Sequence, residues 1–474
     1  MPDMDQSLCN PIAGEPIEGE TRQGRFLGQI SLPRVGSSCC ARVSLWFGIG
    51  WLTLVGLAMV AQGQEAVRAS MAGEAAAAAQ SRAASTLGYY NLKVGPTAWN
   101  FGSGLGLQYN SNANLTENQP EGDFIFTPQI NTRMVWPVSD MNSVNLVVGG
   151  GYSAYLKNQQ NSGFFLTPGT GLSFDAFVGD FRINLHDRVS ISQNSYQYAT
   201  VTGTGNYAQG QNALGTTVLW DLNKIILNFA YDHMNYVSFP SNSGQPNGVF
   251  EVVSTSAGYM IKPQMLAGLE LGGSLINYPG DNNNTINNAT YGNARQWNLG
   301  GFYNTQVSDY VQFTGHAGYT VYTPQSGRGT ADSGDFTGMY FSLALSHRLN
   351  RYVSYSLSLG RMVNAAYYGG PTEQYYANLG LGWQILEKIS LSSNVGYIYG
   401  NQAGGSSSQG GSSLQPYSQL TFGVNAGRSI TKHLTANLGC QFITRLGDSS
   451  GGNYNSYNSN YNLYTITLSL NYQF

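Results

Sequence analysis

The chain ends Tyr464-Thr465-Ile466-Thr467-Leu468-Ser469-Leu470-Asn471-Tyr472-Gln473-Phe474. Tyr464, Ile466, Leu468, Leu470, Tyr472 and Phe474 fall on one parity; Thr465, Thr467, Ser469, Asn471 and Gln473 fall on the other. Successive side chains of a strand point to opposite faces, so this segment is a strand with one apolar, aromatic-ended face and one neutral hydrophilic face. A sandwich strand with a wet side has the same pattern in isolation. Repetition separates the two readings. Val353, Tyr355, Leu357 and Leu359 alternate with Ser354, Ser356 and Ser358, and Leu420, Phe422, Val424 and Ala426 alternate with Gln419, Thr421, Gly423 and Asn425. Phe341, Leu343 and Leu345 behave likewise, as do Ile225, Leu227, Phe229 and Tyr231, with no further apolar set left to fill a shared interior.

Extended backbone in hydrocarbon must pair every N–H and C=O, which only a closed sheet allows. The pattern therefore predicts an all-β fold, a transmembrane antiparallel up-and-down β-barrel over residues 96–474, apolar face to lipid and polar face to the lumen. Segments of about 10 to 14 residues suit tilted strands crossing a bilayer. Their connections alternate. One kind is short and charged, at Asp140, Asp180, Asp221/Lys224, Lys262-Pro263, Asp309, Arg348/Arg351, Glu387-Lys388 and Lys432; the other is long and rich in Asn, Gly, Ser and Gln, as at 111–122, 194–210, 278–294, 324–335, 401–416 and 446–460. Short periplasmic turns opposite long extracellular loops are the asymmetry of an outer-membrane barrel, and the count gives about 18 strands, with 16 possible. Tyr472 and Phe474 lie on the lipid-facing parity, where a terminal aromatic is expected to act as the signal to the barrel-assembly machinery.

Composition supports this class. The 474 residues hold 22 Lys+Arg and 25 Asp+Glu, 10% charged, where a soluble domain carries roughly a quarter. Gly (60) and Tyr (32) fill much of the difference. A net charge of −3 supplies no basic field for nucleic acid, and so many aromatics exclude a disordered chain. Residues 43–59 form an apolar run behind Arg34 and Arg42, followed by Ala61-Gln62-Gly63. This predicts a long leader with a secretory signal peptide over 1–63, cleaved near Gln64; a retained membrane helix is the rival, since about 17 residues is the lower limit for spanning. Residues 64–95 are Ala-rich and are expected to be a periplasmic tether. Cys9, Cys39 and Cys40 go with the leader, leaving Cys440, which excludes a disulfide framework and sits on the lipid-facing parity as a small hydrophobe.

Leu92-Lys93-Val94-Gly95-Pro96, then residues 110–117 and Phe124-Ile125-Phe126-Thr127-Pro128, resemble the family called β-barrel porin 2, bacterial outer-membrane barrels of which some are encoded beside exopolysaccharide machinery. The resemblance is clearest over residues 90–136 and continues as general alternation to Phe474. It implies an outer-membrane barrel, carries no catalytic motif and says little about cargo; the Ala-rich preface is longer here than the pattern requires.

Lumen parity assigns Arg133, Asp175, Arg182, His186, Arg188, Asp232, Glu270 and His316 to the interior. Opposed across a bore, such groups set a transverse field that selects solutes; paired with neighbours, they merely hold the wall. Asp187 falls on the lipid side near mid-strand, where an ionised group is costly, and a bulge around His186–Arg188 would turn it inward. The motif ending Thr127-Pro128 recurs as Gly163-Phe164-Phe165-Leu166-Thr167-Pro168, either as part of an aromatic girdle or as a device that opens strands descending from long loops. Gly102-Ser103-Gly104 and Gly149-Gly150-Gly151 are strand glycines rather than phosphate loops, because no helix follows. The five histidines (186, 233, 316, 347, 433) stand on separate segments, and no nucleophile, base and orienter converge, so neither catalysis nor a metal or other cofactor is expected. Residues 453–461 interleave Tyr with Asn and Ser, suited to sugar hydroxyls or simply to an uncharged loop. The resulting expectation is an outer-membrane channel for passive diffusion of small, mostly uncharged hydrophilic solutes such as saccharides, in contact with outer-membrane lipid and lipopolysaccharide. An exopolysaccharide-export barrel and a structural or adhesive barrel are the alternatives.

Overall fold

The computed structural model describes residues 90–193, 208–239, 247–278, 285–286, 289–290, 293–325, 335–365, 371–386, 388–402, 416–447 and 460–474. The leader, most of the Ala-rich stretch and the 453–459 tract lie outside these residues.

Strand β1 (Leu92–Val94) precedes β2 (Thr97–Asn110), β3 (Asp123–Pro137), β4 (Ser143–Tyr155), β5 (Gly163–Val178) and β6 (Phe181–Ser192). The middle of the chain forms β7 (Gln209–Asp221), β8 (Ile225–Ser238), β9 (Gly248–Lys262) and β10 (Met265–Asn277), then a two-stranded hairpin of β11 (Thr285–Ile286) and β12 (Ala289–Thr290). There follow β13 (Ala294–Ser308), β14 (Val311–Pro324), β15 (Phe336–Arg348), β16 (Val353–Ala365) and β17 (Pro371–Leu386). The last are β18 (Ile389–Gln402), β19 (Tyr417–Ser429), β20 (Leu434–Gly447) and β21 (Tyr461–Gln473). Nineteen strands form one sheet, in which β1 is an appendage and the other eighteen pair antiparallel in sequence order until β21 returns to β2. The fold is thus a closed antiparallel β-barrel of the outer-membrane kind, with both edges of each of the eighteen barrel strands paired.

The charged positions noted above lie in or beside the short connections, such as 179–180, 263–264 and 309–310, all at one rim. Outward residues are the apolar parity: Ile130 is 66% exposed, Leu269 68% and Leu299 62%, as befits a lipid-facing band rather than a core cut open. Aromatic pairs mark its two edges. Phe181–Trp220 (5.0 Å) and Tyr472–Phe474 (5.1 Å) sit at the short-turn rim. Tyr109–Phe124 (5.1 Å), Tyr152–Phe164 (5.0 Å) and Phe442–Tyr464 (4.9 Å) sit towards the long loops. The repeated phenylalanines therefore do contribute to a girdle, although the second copy follows the short connection 156–162, not a long loop.

Closure is finished by a side chain. The β2–β21 ladder stops at Gly102↔Gln473, and Phe474 N adds one bond to Phe101 O. Below it Asn91 Nδ2 donates to Phe101 O (2.9 Å) while Phe101 N donates to Asn91 Oδ1 (3.1 Å), before β1 takes over with Leu92↔Trp99. The Asn91 amide thus imitates a strand residue at the seam.

The inner face departs from the expected uniform hydrophilic lining. In the long-loop half, inward positions turn apolar: Met234, Tyr236, Phe250, Val252, Ile276 and Tyr322 pack into one buried cluster with Tyr278 and Phe336 against it. Burial raises the Tyr278 phenol well above its ordinary range, with Tyr322 adding to the effect. On β8 and β9 the polar residues at this level, His233, Asn235 and Glu251, face outward instead. Alternation alone does not say which of two unlike faces is inside.

Candidate functional site: the inner wall

Registry puts Asp175, Asn184, His186, Arg188 and Asp232 on the inward parity of β5, β6 and β8, opposite the exposed Leu172, Leu185 and Leu214. They meet in one network. Asp175 accepts from Asn145 Nδ2 (3.2 Å), Asn184 Nδ2 (3.1 Å) and Arg182 Nη2 (3.5 Å). Because the Asn184 amide nitrogen is turned to Asp175, its oxygen accepts from His186 Nδ1 (2.9 Å). The other ring nitrogen, Nε2, lies 2.7 Å from Asp232 Oδ1 and 2.6 Å from Arg188 Nη2. It donates to Asp232 when protonated and accepts from Arg188 when not. Gly215 on β7 makes this reach possible: a Cβ there would fall onto the Asp232 carboxylate and 2.8 Å from His186 Nε2.

A second group forms on β10, β14 and β15, where Glu270 accepts from His316 Nδ1 (2.7 Å) and Tyr340 OH (2.7 Å). Arg133 has the inward parity of β3 but is exposed, paired in register with Asn100 and Val147. Seven of the eight side chains singled out from the sequence are thus tied to neighbours along the wall rather than set against one another across the bore. The eight also balance, three Arg (133, 182, 188) against three carboxylates (175, 232, 270).

Beside the first of these groups the wall carries a recess of about 420 Å³. Its cause is a break in β5. Leu166 pairs Ile191 and Thr170 pairs Val189, so Thr167-Pro168-Gly169 oppose the single Ser190. Such extra residues leave the ladder and project from it; Gly169 takes φ 95° to allow the turn. On the β4 side Thr170 Oγ1 closes the gap by donating to Gly149 O (3.0 Å) and accepting from Gly149 N (3.1 Å). Gly151 gives room, since a Cβ would strike the Pro128 carbonyl and lie 2.8 Å from the Phe165 ring. The lining combines Gln129, Gln211, Ser190, Arg188 and Asp232 with the apolar faces of Phe165, Pro168 and Met234.

Segment 111–122 folds into the lumen. Leu115 is fully buried against Ile443, Tyr461 and Leu463, all on the inward parity of β20 and β21, and Ala113 packs on Ile125 and Tyr155. Asn112 organises the turn: its Nδ2 donates to Thr116 O (2.8 Å) and Asn462 O (3.2 Å), and Thr116 N donates to its Oδ1 (3.1 Å). Leu115 (φ 52°) and Gln119 (φ 60°) occupy the left-handed region, which non-glycine residues rarely adopt. Glu117 and Glu121 ride on this segment, with Asn460 Nδ2 3.4 Å from Glu117 Oε1 and Asn114 Nδ2 3.1 Å from Glu121 Oε2.

Two inward residues escaped the sequence reading. Arg445 is fully buried, its guanidinium 4.9 Å over the Tyr417 ring, in register with Gln419 and Tyr461; its parity with Gln441 and Ile443 was the available signal, obscured by the adjoining loop. Asp123, also fully buried, accepts from the backbone N–H of Lys157 (3.0 Å), Asn158 (2.8 Å) and Phe124 (2.7 Å), holding 156–162 to the rim. Nothing local marked it.

Outward chemistry is sparse. Asp187 does not turn inward: it pairs Leu172 and Leu214, both exposed, and the bulge lies on β5 instead. His233 Nδ1 (2.8 Å) and Tyr231 OH (2.7 Å) both contact Glu251, and Arg361 Nε donates to Glu373 (2.7 Å). Cys440 is exposed between Leu438 and Phe442. His347 Nδ1 meets Tyr355 OH (2.5 Å) and His433 Nδ1 meets Gln473 O (2.9 Å), both towards the short-turn rim. Among the described residues no group of three or more His, Cys, Asp or Glu is placed to hold a metal ion.

No family model matches the chain, and no curated protein matches it. The resemblance to the β-barrel porin 2 family therefore rests on the sequence motifs alone. Among solved structures the chain is similar to Pseudomonas aeruginosa OccK5 (OpdH), with 10% identity, 80% of this chain and 98% of that chain covered, and a TM-score of 0.44. Acinetobacter baumannii OccAB3 gives 9% identity, 80% and 100% coverage and a TM-score of 0.45. Pseudomonas aeruginosa OccK2 (OpdF) in complex with glucuronate gives 11%, 80%, 98% and 0.44. At such scores the likeness carries no weight for function, which stands on the chain's own geometry.

Proposed function

We propose that this barrel is an outer-membrane channel for passive diffusion of small, mostly uncharged hydrophilic solutes, saccharides foremost. The observation that carries this is the inner wall, where seven of the eight titratable side chains named above are tied to neighbours, beside a recess of about 420 Å³ lined mainly by amide and hydroxyl groups and the Phe165 ring, with Arg188 and Asp232 among them. A barrel of about 18 strands leaves an aqueous lumen unless loops fill it. A wall whose charges cancel exerts little net force on an ion, whereas amides and hydroxyls replace a sugar's hydration and a ring covers its C–H face. Arg182, His186, Arg188, Glu270 and His316 act here as dipolar wall groups, and Arg133 as an exposed cation nearer the short-turn rim. The same reading has lipid and lipopolysaccharide contact the outer face, and the barrel-assembly machinery recognise Tyr472 and Phe474.

Liposome swelling over a size series of neutral and charged solutes tests it, together with sugar block of single-channel current. Neutral sugars should enter faster than charged solutes of equal size, and Phe165→Ala should weaken sugar block. A closed channel, or one that favours ions and ignores sugars, defeats the proposal.

A further inference from the structure

Asp187 poses a physical problem that the channel leaves untouched. It stands six residues above Phe181 of the lower aromatic girdle; at about 3.3 Å per residue along a strand tilted about 40°, that is about 15 Å up a band about 25 Å tall. On the same face Leu185 lies below it, and Val189 and Ile191 lie above. A carboxylate there faces hydrocarbon, yet only its Oδ1 is engaged, by Asn212 Nδ2 (2.5 Å). Directly across β7 stands a complementary group. Asp187 registers with Leu214, and Leu214 with His233. The His233 ring gives Nδ1 to Glu251 (2.8 Å), and among the described residues no partner meets its Nε2. A carboxylate oxygen and an imidazole nitrogen, both without a partner among the described residues and able to share one proton, therefore flank Leu214, one strand to either side, and Leu214 itself is 55% exposed.

We infer that this face seats a second copy of the chain about a two-fold axis along the membrane normal through Leu214. A two-fold interface is isologous, so each residue meets its counterpart's complement. With strands tilted about 40°, register partners two strands apart differ in height by about 6 Å, so rotation about Leu214 brings Asp187 of each copy within side-chain reach of the other's His233, and the two leucines meet at the axis. Two convex barrels touch along a strip about three strands wide, which β6, β7 and β8 provide. Each imidazole then lies between two carboxylates, Glu251 of its own chain and Asp187 of the other. A lipid acyl chain fits this site less well, because it offers nothing to a carboxylate or an imidazole.

The test is cross-linking in intact outer membranes, with Cys9, Cys39, Cys40 and Cys440 replaced by serine. Leu214→Cys should give a disulfide dimer on mild oxidation, whereas Leu420→Cys, also outward, should not. Adding Asp187→Leu to Leu214→Cys should lower the dimer yield at least tenfold while the heat-modifiable folded band persists. No dimer from folded Leu214→Cys, equal yields from both cysteine positions, or a yield indifferent to Asp187→Leu each overturns the proposal. So does native mass spectrometry showing wild-type monomers that retain a lipid which Asp187→Leu releases.

Discussion

Leu115 is the largest apolar anchor of the inward segment 111–122, beside the smaller contacts of Ala113 and Asn112, which makes the segment's contribution to the bore measurable. Leu115 is fully buried against Ile443, Tyr461 and Leu463. Removing such a side chain to alanine costs about 2–5 kcal/mol in lost burial and cavity. The backbone at Leu115 has φ 52°, a conformation costing an L-residue about 1–2 kcal/mol. Leu115→Ala keeps that strain and loses the anchor, so nothing offsets the loss. At about 1.4 kcal/mol per tenfold, the ratio of anchored to released segment should fall roughly 30- to 4,000-fold. The strand ladders are untouched, so the folded barrel should survive boiling-shift electrophoresis unchanged. Single-channel recording should show either a larger conductance or frequent excursions to a higher level that wild type rarely visits. A variant with wild-type conductance, wild-type open-level statistics and an intact barrel would falsify the view that this segment narrows the passage.

Gly215→Ala should push the Asp232 carboxylate away from His186, an overpacking penalty of about 1–3 kcal/mol seen as a lower heat-modification midpoint; an unchanged midpoint contradicts the close approach across β7. Asn91→Ala removes two bonds to Phe101 at the seam, about 1–2 kcal/mol, and should speed amide exchange at Phe101 and Phe474 without altering conductance. Asp123→Ala strips the acceptor from Lys157 and Asn158 at about 3 kcal/mol locally; exchange at those two amides should rise about 100-fold, and protection left intact would show that another acceptor holds the 156–162 connection.

The period-two alternation settled most of the architecture, because it is a local property: Tyr464 to Phe474 and Leu420 to Ala426 each announce their two faces without knowledge of any neighbour. The charged short turns placed the strand boundaries for the same reason, since a turn is built from adjacent residues. By contrast, Asp232 reaches His186 from forty-six positions away, and only the register of β6, β7 and β8, with a glycine between, makes that meeting possible. The outward course of Asp187 was likewise undecidable in advance, because a bulge on β5 or on β6 satisfies the same alternation. The insertion of Leu115, the burial of Arg445 and the apolar upper interior depend on where a loop travels after its strand ends and on what already occupies the lumen. A linear pattern records which side of a strand a residue takes; which neighbour it finds there depends on how the ring closes and how far each strand is staggered against the next.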